Sequence, residues 1–368
     1  MSERILVLGN SSDGLYGFRK ELLEMLAQKG EVWASVPDNG WFAELEAQGC
    51  RVIETAIDRR GINPVTDLKL LMRYIRLIRK IRPTKVITYT VKPNIYGGIA
   101  CRLLRIPYAA NITGLGTTFQ KEGWLKKLVI LLYKTALKGA DAVFFENRGN
   151  LQIMCDLGIV QQSRCRLLNG AGVNLEQYPF CAYPSEDETV KFLFIGRVMA
   201  EKGVNELFTA MQQLIAEGYH CQLDMLGYYE EDYKQTIEGF VQQGWLHYHG
   251  FQTDVKRFIE PAHCFVLPSW HEGMANTNLE CASMGRPLIT SNIHGCKEAV
   301  IENVSGLLCE AKDADSLYAA MVHFLHLSPA ERAAMGAAGR KHMEAEFDKR
   351  KVVENTLEGL GLCVNSLS

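Results

Sequence analysis

The residues best suited to chemistry lie between positions 267 and 287, in the stretch LPSWHEGMANTNLECASMGRP. Glu272 falls in a polar loop after an apolar strand, and Glu280 falls inside the helix predicted to follow it. A carboxylate accepts hydrogen bonds from two neighbouring sugar hydroxyls, and a helix capped at Asn276 or Thr277 presents unpaired N–H groups to an anion. The pattern therefore indicates a ligand with a phosphate between two sugars. An ordinary strand–helix turn with two solvated glutamates is the alternative.

A second group of charged residues follows the apolar strand that ends at Gly196. Arg197 and Lys202 come after that strand and ahead of a helix predicted from Val204. A forked guanidinium and an ammonium on such a turn can stabilise the charge that develops on a diphosphate leaving group. We therefore expect both cations to act on phosphate, although two solvated surface cations would give the same pattern.

Together these motifs resemble those of the retaining family-4 glycosyltransferases, which have the GT-B fold. They are GR-x3-EKG at 196–203, LPS-x2-EG-x6-E-x4-G-x-P at 267–287, NGAGVNLEQY at 169–178, and GCKE at 295–298 with Gly306. The resemblance spans most of the chain and is densest in its C-terminal half. It implies an α/β chain of GT-B fold, with two Rossmann-like parallel-sheet domains facing a cleft.

The resemblance also implies a role for each candidate residue. Arg197 and Lys202 would replace a metal ion on the leaving diphosphate, so no metal and no other cofactor is expected. Glu272 would bind the donor sugar as the third catalytic residue, and Glu280 would bind the ribose. The remaining donor contacts would come from Gly14, Gly196, Phe251, Gly273, Met274, Ala275, Asn276 and Thr277. With no protein nucleophile evident, the leaving phosphate would help to deprotonate the acceptor on the same face of the sugar.

The donor implied by this resemblance is a UDP-sugar, commonly an N-acetylhexosamine or a hexose. Many relatives carry an aromatic residue, a glycine and small residues after the EG pair, where this chain has Met274–Thr277. The sequence therefore leaves the transferred sugar open. A GDP-sugar donor or a soluble acceptor remains the alternative within the same enzyme class.

Two loops in the first half follow predicted strands, Thr90–Gly98 (TVKPNIYGG) and Thr113–Phe119 (TGLGTTF). They resemble loops of the family-4 subgroup that extends polyprenyl-diphosphate-linked glycans of O-antigen, lipopolysaccharide, capsule or glycoproteins. The acceptor-binding candidates are Lys92, Asn94, Thr113, Gly114 and Gly116. Turns that need proline and glycine for backbone reasons alone are the alternative.

Composition is that of an ordinary globular protein, with 47% apolar and 22% charged residues among 368. That length predicts two domains. The sequence has neither an apolar run long enough to span a membrane nor a secretory signal, and its eleven cysteines form no CxxC pair. We therefore expect a cytoplasmic protein with reduced thiols, whose partners are a nucleotide sugar and a glycan acceptor and not nucleic acid.

Charge is unevenly distributed between the two halves. Residues 1–180 hold 25 Lys and Arg against 16 Asp and Glu, a net charge of +9, whereas residues 181–368 carry −11. Two predicted helices in the basic half, Val65–Ile81 and Trp124–Lys138, mix apolar residues with Lys and Arg. Both helices are expected to pack on a sheet, and an outer face in contact with the anionic inner-membrane surface is a second interpretation.

Strand-like and helical segments alternate along the whole chain, which predicts two parallel sheets covered by helices. We expect an acceptor-side domain over 1–175, a donor domain over 188–346, and a final helix in 347–368 that crosses back to the first domain. The polar stretch 174–187 between them is predicted to be the linker.

Three other classes compete with this interpretation. Epimerases and inverting transferases of the same fold lack the E-x7-E pattern. A non-catalytic nucleotide-sugar-binding protein would not need all four of the charged candidates. A dehydrogenase needs G-x-G-x-x-G after the first strand, whereas this chain has Gly9 followed by the loop NSSDGLYG, with glycines at 14 and 17. This loop is predicted to approach a ligand, and a simple strand–helix turn is its other interpretation.

Overall fold

The computed structural model of the chain describes residues 3–58, 61, 63–116, 119, 123–184 and 189–362. It divides into two compact units: Met1–Ala171 with Arg350–Ser368, and Gly172–Lys349. The first boundary therefore precedes the segment 174–187 that the sequence analysis assigns to a linker. Positions 185–187 of that segment lie outside the described residues, as do 117 and 118 of the second acceptor loop and 363–368 at the C-terminus.

The first unit is built on a seven-stranded parallel sheet of order β3-β2-β1-β4-β5-β6-β7. Its strands are β1 (Glu3–Leu8), β2 (Gly30–Val36), β3 (Cys50–Glu54), β4 (Lys85–Tyr89), β5 (Tyr108–Ile112), β6 (Ala142–Phe145) and β7 (Cys165–Leu167). Leu6 and Leu8 of β1 pack into one buried cluster, and Ile5 and Val7 into another. Because side chains alternate along a strand, both faces of this sheet are covered, as expected for parallel sheets.

The helices of the first unit lie on both faces of that sheet. They are α1 (Ser12–Ala27), α2 (Phe42–Ala47), α3 (Pro64–Ile81), α4 (Gly98–Leu104), α5 (Trp124–Leu137) and α6 (Arg148–Asp156). The boundaries of α3 and α5 agree with the predicted ones within one residue, whereas α2, α4 and α6 are not among the helices named from the sequence. These three are short, and six to nine residues carry little periodic signal.

Two loops predicted in this unit are helical instead. Helix α1 begins at Ser12, because the Ser11 side chain caps it by accepting a hydrogen bond from the Gly14 backbone N–H at 3.1 Å. The segment Thr90–Gly98 turns helical at Val91 and continues through a π-helical turn, Pro93–Gly97, into α4. Proline is tolerated there because first-turn N–H groups have no partner within a helix.

The second unit contains a six-stranded parallel sheet of order β10-β9-β8-β11-β12-β13. Its strands are β8 (Val190–Ile195), β9 (Cys221–Leu226), β10 (Leu246–Tyr248), β11 (Cys264–Leu267), β12 (Leu288–Ser291) and β13 (Gly306–Cys309). Its helices are α7 (Val204–Ala216), α8 (Lys234–Gln242), α9 (Lys256–Ile259), α10 (Asn276–Ser283), α11 (Ala314–His326) and α12 (Pro329–His342). Apart from β13, the sequence predicts each of these elements, and most of the predicted ends lie within about three residues of the observed ones. Helix α12 ends four residues earlier than predicted, where the chain continues into the π-helical turn Met343–Phe347.

The predicted linker is a packed part of the second unit as far as it is described. The fully buried guanidinium of Arg286 donates hydrogen bonds to the backbone carbonyls of Cys181 and Ala182, at 2.9 and 2.7 Å. The Tyr183 hydroxyl donates to the His263 carbonyl at 3.0 Å. Polar composition suggested a solvated connection, but a buried arginine satisfies these carbonyls, and the linker prediction is wrong for 174–184.

The last helix, α13 (Lys349–Gly359), belongs almost entirely to the first unit. Its buried Val352, Val353 and Leu357 join the cluster that contains Ile5 and Val7 of β1. A chain that returns to its first unit in this way agrees with the sequence prediction of a helix over 349–361.

Candidate active site

The candidate site of the second unit lies at the carboxyl ends of β8 and β11. These strands are neighbours, but the chain leaves β8 toward β9 on one side and leaves β11 toward β12 on the other. Ligands of open parallel sheets bind at such a switch point, where two loops diverge and leave a crevice. The loop after β8 carries Arg197 and Lys202, and the loop after β11 carries Glu272.

Lys202 and Glu272 form an ion pair across this point, with side chains only 18% and 12% exposed. The Ser269 hydroxyl donates a second hydrogen bond to the same carboxylate oxygen of Glu272, at 2.8 Å. A short 3₁₀ turn, Ala200–Lys202, positions the lysine. The sequence predicts both residues for the site, and the structure brings them into direct contact.

Backbone contacts fasten these two loops together. Gly203 has φ +74°, and a Cβ there would overlap the Pro268 carbonyl, so only glycine fits this close approach. The Trp270 backbone N–H donates to the Glu201 carbonyl at 3.0 Å, and its indole N–H donates to Glu206 at 3.1 Å. The glycine of the EKG motif therefore serves the backbone geometry of the site.

His271 lies between the two charged loops. Its Nε2 is 3.5 Å from the Glu201 carboxylate, and its buried Nδ1 has no hydrogen-bond partner among the described residues. Burial is the main reason that its pKa lies below the usual value. The carboxylates of Glu201 and Glu272 act to raise that pKa, and the positive charges of Lys202 and Arg197 act to lower it. His271 is therefore harder to protonate than a solvated histidine.

The start of α10 differs from the prediction in its capping residue. Ala275 occupies the N-cap and has no side-chain acceptor, so Asn276 and Thr277 are the first helical residues and do not cap the helix. Ala275 donates its backbone N–H to the Gly295 carbonyl at 2.7 Å. Asn276 Oδ1 is buried and lacks a hydrogen-bond partner in the described structure. An uncapped helix start is suited to an anion.

The GCKE segment supports this helix start. Gly295 has φ +93°, and a Cβ there would lie 2.6 Å from the Glu272 carbonyl oxygen. Its backbone N–H donates to the Glu298 carboxylate at 2.7 Å. Met274 and Ala275 are buried in the core, at 6% and 4% exposure, so any ligand contact they make would come from their backbone.

Glu280 lies one turn into α10 and is partly buried. Burial raises the pKa of its carboxyl group to about 7, while a hydrogen bond with Tyr178 and the positive charge of Lys349 act to lower that pKa. The carboxylate is therefore close to its protonation midpoint at neutral pH.

Arg197 and two aromatic side chains are more exposed. The Arg197 side chain is 39% exposed, and its guanidinium lies 3.5 Å from the Glu230 carboxylate. Phe251, after β10, is 65% exposed and lies beside the exposed Tyr228 ring, with 6.3 Å between ring centroids. The ends of β8 and β9 approach each other closely at Gly227, next to Tyr228. A Cβ on Gly227 would overlap the Gly196 carbonyl, so this approach requires glycine.

In the first unit, the acceptor candidates have different environments. Lys92 forms an ion pair with Asp67 at 2.6 Å, and the Tyr96 hydroxyl donates to the other Asp67 oxygen at 2.8 Å. Asn94 is 1% exposed; its side chain accepts from Thr88 at 2.6 Å and donates to the Asn111 carbonyl at 2.9 Å. The Asn94 side chain is therefore engaged inside the core.

The other first-unit candidates are more accessible. Thr113 and Gly114 are half-buried, and Gly116 is exposed with φ +74°, in an irregular loop over the described part of 113–119. Gly14 lies in the first turn of α1 rather than in a loop.

The described part of the chain contains no group of three or more His, Cys, Asp or Glu side chains placed to hold a metal ion. His247 and His249 both lie beside Asp224, at 3.7 and 2.7 Å. The expectation that the reaction needs no metal remains a prediction.

Comparison with known proteins places the chain in a family. A model described as "Glycosyl transferase 4-like" matches residues 4–147, and one described as "Glycosyl transferases group 1" matches residues 189–326. The chain is a family-4 glycosyltransferase. The first range contains β1 to β6 apart from the first residue of β1, and the second contains β8 to β13. The enzyme class predicted from the motifs is confirmed.

Two curated relatives of this glycosyltransferase have names that specify a lipid-linked glycan as the acceptor. A Campylobacter jejuni N,N'-diacetylbacillosaminyl-diphospho-undecaprenol alpha-1,3-N-acetylgalactosaminyltransferase is 27% identical over 332 residues, covering 85% of this chain and 87% of the relative. An Escherichia coli UDP-Gal:alpha-D-GlcNAc-diphosphoundecaprenol alpha-1,3-galactosyltransferase is 26% identical, covering 72% of both chains.

Solved structures of the same fold cover almost the whole glycosyltransferase. The Anabaena protein Alr3699/HepE, crystallised with UDP and glucose, superposes with a TM-score of 0.79 at 14% identity, covering 98% of this chain and 99% of that one. A Rickettsia africae glycosyltransferase superposes with a TM-score of 0.79 at 16% identity, covering 100% of both chains. The predicted GT-B fold, with two Rossmann-like parallel-sheet domains, is confirmed.

Several residues that shape the candidate site of this glycosyltransferase could not be predicted from the sequence. Tyr178 contacts Glu280 and is the last residue of the NGAGVNLEQY motif. Because it lies in the segment predicted to be the linker, the sequence offers no reason to place it at the site. His271 and Trp270 lie inside the quoted motif, at positions that the pattern leaves unspecified. Tyr228 belongs to no motif, and only its contact with the exposed ring of Phe251 in the structure identifies it as a candidate.

Proposed function

We propose that this glycosyltransferase transfers an N-acetylhexosamine or a hexose from a UDP-sugar, with retention, to a polyprenyl-diphosphate-linked glycan in surface polysaccharide assembly. The observation that carries the donor half is the Lys202–Glu272 contact at the switch point, beside the uncapped start of α10. The names of two relatives that cover most of the chain support a lipid-linked acceptor, and one of these names specifies a UDP-sugar donor.

The proposed chemistry starts from the charge on the leaving diphosphate. Lys202, Arg197 and the N–H groups at the start of α10 supply positive charge on one edge of the sheet. When the diphosphate binds, Lys202 exchanges part of its contact with Glu272 for phosphate oxygens, and the Glu272 carboxylate becomes available to sugar hydroxyls. Fixed cations of this kind perform the role that a metal ion has in other transferases, so the reaction is proposed to be metal-independent.

The nucleoside end of the donor is assigned to Glu280 of α10 and to the aromatic pair Phe251 and Tyr228. Glu280 accepts hydrogen bonds from the ribose hydroxyls, since an ionised carboxylate accepts two neighbouring donors. Phe251 and Tyr228 offer exposed ring faces on which a base can stack. Phe251 and Tyr228 follow β10 and β9, and Glu280 lies on the helix after β11. Arg197 follows β8, which lies between β9 and β11 in the sheet.

The acceptor is assigned to the first unit. Thr113, Gly114 and Gly116 present an accessible loop at the carboxyl end of β5, and Lys92 lies after the adjacent β4. Because Lys92 is already paired with Asp67, the acceptor diphosphate must compete with that carboxylate for the ammonium group. Asn94 is no longer proposed as a ligand contact, because both ends of its amide are bonded inside the core.

A membrane-facing surface is proposed on α5. Trp124 and Leu131 are 71% and 60% exposed, while Tyr133 and Leu137 on the opposite side are buried in the core. The same helix carries Lys126, Lys127 and Lys134. Exposed apolar side chains among lysines are complementary to an anionic lipid bilayer, and the lipid-linked acceptor resides in such a bilayer. No helix in the described part of the chain is long and apolar enough to cross a membrane.

The test of the donor proposal is a thermal-shift screen with UDP, GDP, NAD and four UDP-sugars: glucose, galactose, N-acetylglucosamine and N-acetylgalactosamine. It is run in EDTA on wild type and Glu280→Ala. A ligand that binds only the folded state raises Tm. The proposal expects UDP compounds to raise Tm of wild type and to have little effect on the variant. A shift with GDP instead would contradict the donor assignment, and a shift with none of the seven compounds would contradict the donor site.

A further inference from the structure

We infer that Tyr178 is a positioning residue for the donor: its hydroxyl holds the Glu280 carboxylate in the orientation that receives the ribose. The inference rests on the proposed function, because it extends the role given there to Glu280. Tyr178 itself lies outside α10, in the segment 174–184 that packs on the second unit.

The backbone of Tyr178 is fastened to the end of α10. Its carbonyl oxygen accepts hydrogen bonds from the Ser283 hydroxyl at 2.7 Å and from the Arg340 guanidinium at 3.1 Å. Arg340 also donates to the Ser283 carbonyl at 3.0 Å and forms an ion pair with Glu344 at 2.7 Å. Since Ser283 is the last residue of α10, the Tyr178 backbone is fastened to the helix that carries Glu280.

The hydroxyl can act only as a donor toward Glu280. Burial and the Glu280 charge raise the pKa of Tyr178 well above its usual value, with Cys281 and Asp254 acting in the same direction. The phenol therefore stays protonated and offers its hydrogen to the carboxylate. Lys349 is the cation whose charge favours ionised Glu280 from the C-terminal end of the unit.

This arrangement predicts how UDP-sugar binding depends on pH. Ribose hydroxyls donate to the ionised carboxylate, so affinity falls as Glu280 takes up a proton with falling pH. The Tyr178 hydrogen bond lowers the pKa of Glu280, so its removal moves the midpoint of the affinity loss to higher pH. A UDP-sugar is the appropriate probe, because free UDP carries a terminal phosphate that itself titrates at about pH 6.

The experiment measures Kd by calorimetry from pH 5.5 to 8.5, a range of about three units around the Glu280 midpoint. The probe is the UDP-sugar that gives the largest thermal shift with wild type. We expect Tyr178→Phe to weaken binding about 3–10-fold at neutral pH, the range for the loss of one ordinary hydrogen bond, and to raise the pH midpoint. Tyr183→Phe is the matched control, because it removes a hydroxyl of the same segment that donates to the His263 carbonyl. It should leave both values unchanged.

A Glu280→Gln background separates positioning from simple destabilisation. If Tyr178 acts through the carboxylate, Tyr178→Phe has little further effect on Kd in that background. An equal loss of affinity in both backgrounds, or an unchanged pH midpoint in Tyr178→Phe, would overturn the positioning role. If wild type and Glu280→Gln bind every UDP-sugar equally well, or if wild type binds none of them, the donor-site proposal itself fails, and the role of Tyr178 fails with it.

Discussion

Lys202 donates to Glu272 across 70 residues of sequence, and this contact joins the two loops that diverge at the switch point of the second sheet. The pair is only partly exposed, and each charge compensates the other while no diphosphate is bound. Paired burial of this kind adds little net stability, but removal of one partner leaves the other uncompensated. The pair therefore holds in place the cation proposed to act on the diphosphate and the carboxylate proposed to bind the donor sugar.

Removal of this cation should be costly to catalysis. We expect Lys202→Met to lower kcat about 100–1000-fold, the equivalent of about 3–4 kcal/mol, because the developing charge on the diphosphate loses a fixed donor. Lys202→Arg should retain part of the rate. The measurement is steady-state transfer from the UDP-sugar donor. Lys234→Met, at a 71% exposed side chain, is the control, and an equal loss in that variant would show that lysine substitution acts nonspecifically.

Gly203 should not tolerate a side chain. Because it combines φ +74° with an overlap between any Cβ and the Pro268 carbonyl, Gly203→Ala should lower both Tm and activity. Gly218 is the matched control, since it has φ +84° with nothing within 4 Å of an added Cβ. We expect Gly218→Ala to cost about 1 kcal/mol and Gly203→Ala clearly more. Equal Tm values for the two variants would refute the close-approach explanation.

Glu280 should make the protein less stable at neutral pH than at acidic pH. Its folded-state pKa of about 7 exceeds the ordinary value of 4.5, so the unfolded chain releases this proton first and stability falls as pH rises between those values. Glu280→Gln removes this penalty, and should be more stable than wild type by about 1–3 kcal/mol at pH 8 but not at pH 4.5. Denaturant unfolding across this range tests it; a pH-independent difference would contradict the account.

Asn94 should behave as a core residue. We expect Asn94→Leu to destabilise the first unit by about 1–3 kcal/mol, because it leaves the Thr88 hydroxyl and the Asn111 carbonyl without their partner. The KM for the acceptor should change little in the fraction that remains folded. Thr113→Ala serves as the contrasting variant, with an effect on acceptor KM and little effect on Tm. A raised acceptor KM with an unchanged Tm in Asn94→Leu would restore its role as a ligand contact.

The exposed face of α5 should determine lipid binding. We expect the double variant Trp124→Ser, Leu131→Ser to lose most of its cosedimentation with phosphatidylglycerol vesicles, because these two side chains supply the apolar contact. Wild-type binding should weaken as salt increases, since lysines contribute. Val304→Ser, at a 52% exposed apolar residue of the second unit, is the control. Undiminished vesicle binding by the double variant would rule out this surface.

Most of the fold could be predicted from periodicity and from turn residues. The strands of both sheets appear as short apolar runs, and α7 was predicted at its observed bounds, because amphipathic spacing is a local property. The start of α1 and the helical turn after β4 were missed. Each depends on a single cap or proline that is also typical of a loop.

The site could be predicted only where a motif carries it. Lys202, Glu272 and Glu280 were identified from spacing within loops that the structure places at one edge of the second sheet. The contacts of Lys202 with Glu272 and of Tyr178 with Glu280 could not be predicted, because the partners are 70 and 102 positions apart and meet only through the fold of the second unit. The buried Arg286 likewise satisfies a segment that looks, by composition alone, like a solvated linker.

Transfer of a radiolabelled sugar to a lipid acceptor is the decisive measurement for the proposed activity. Labelled UDP-sugars are incubated in EDTA with an undecaprenyl-diphosphate-linked saccharide and with wild type or Lys202→Met, and the organic-phase product is counted. We predict labelled, α-linked lipid product with at least one UDP-sugar and a loss of about 100-fold or more in the variant. No lipid product from any UDP-sugar, or equal product from both proteins, would contradict the proposal.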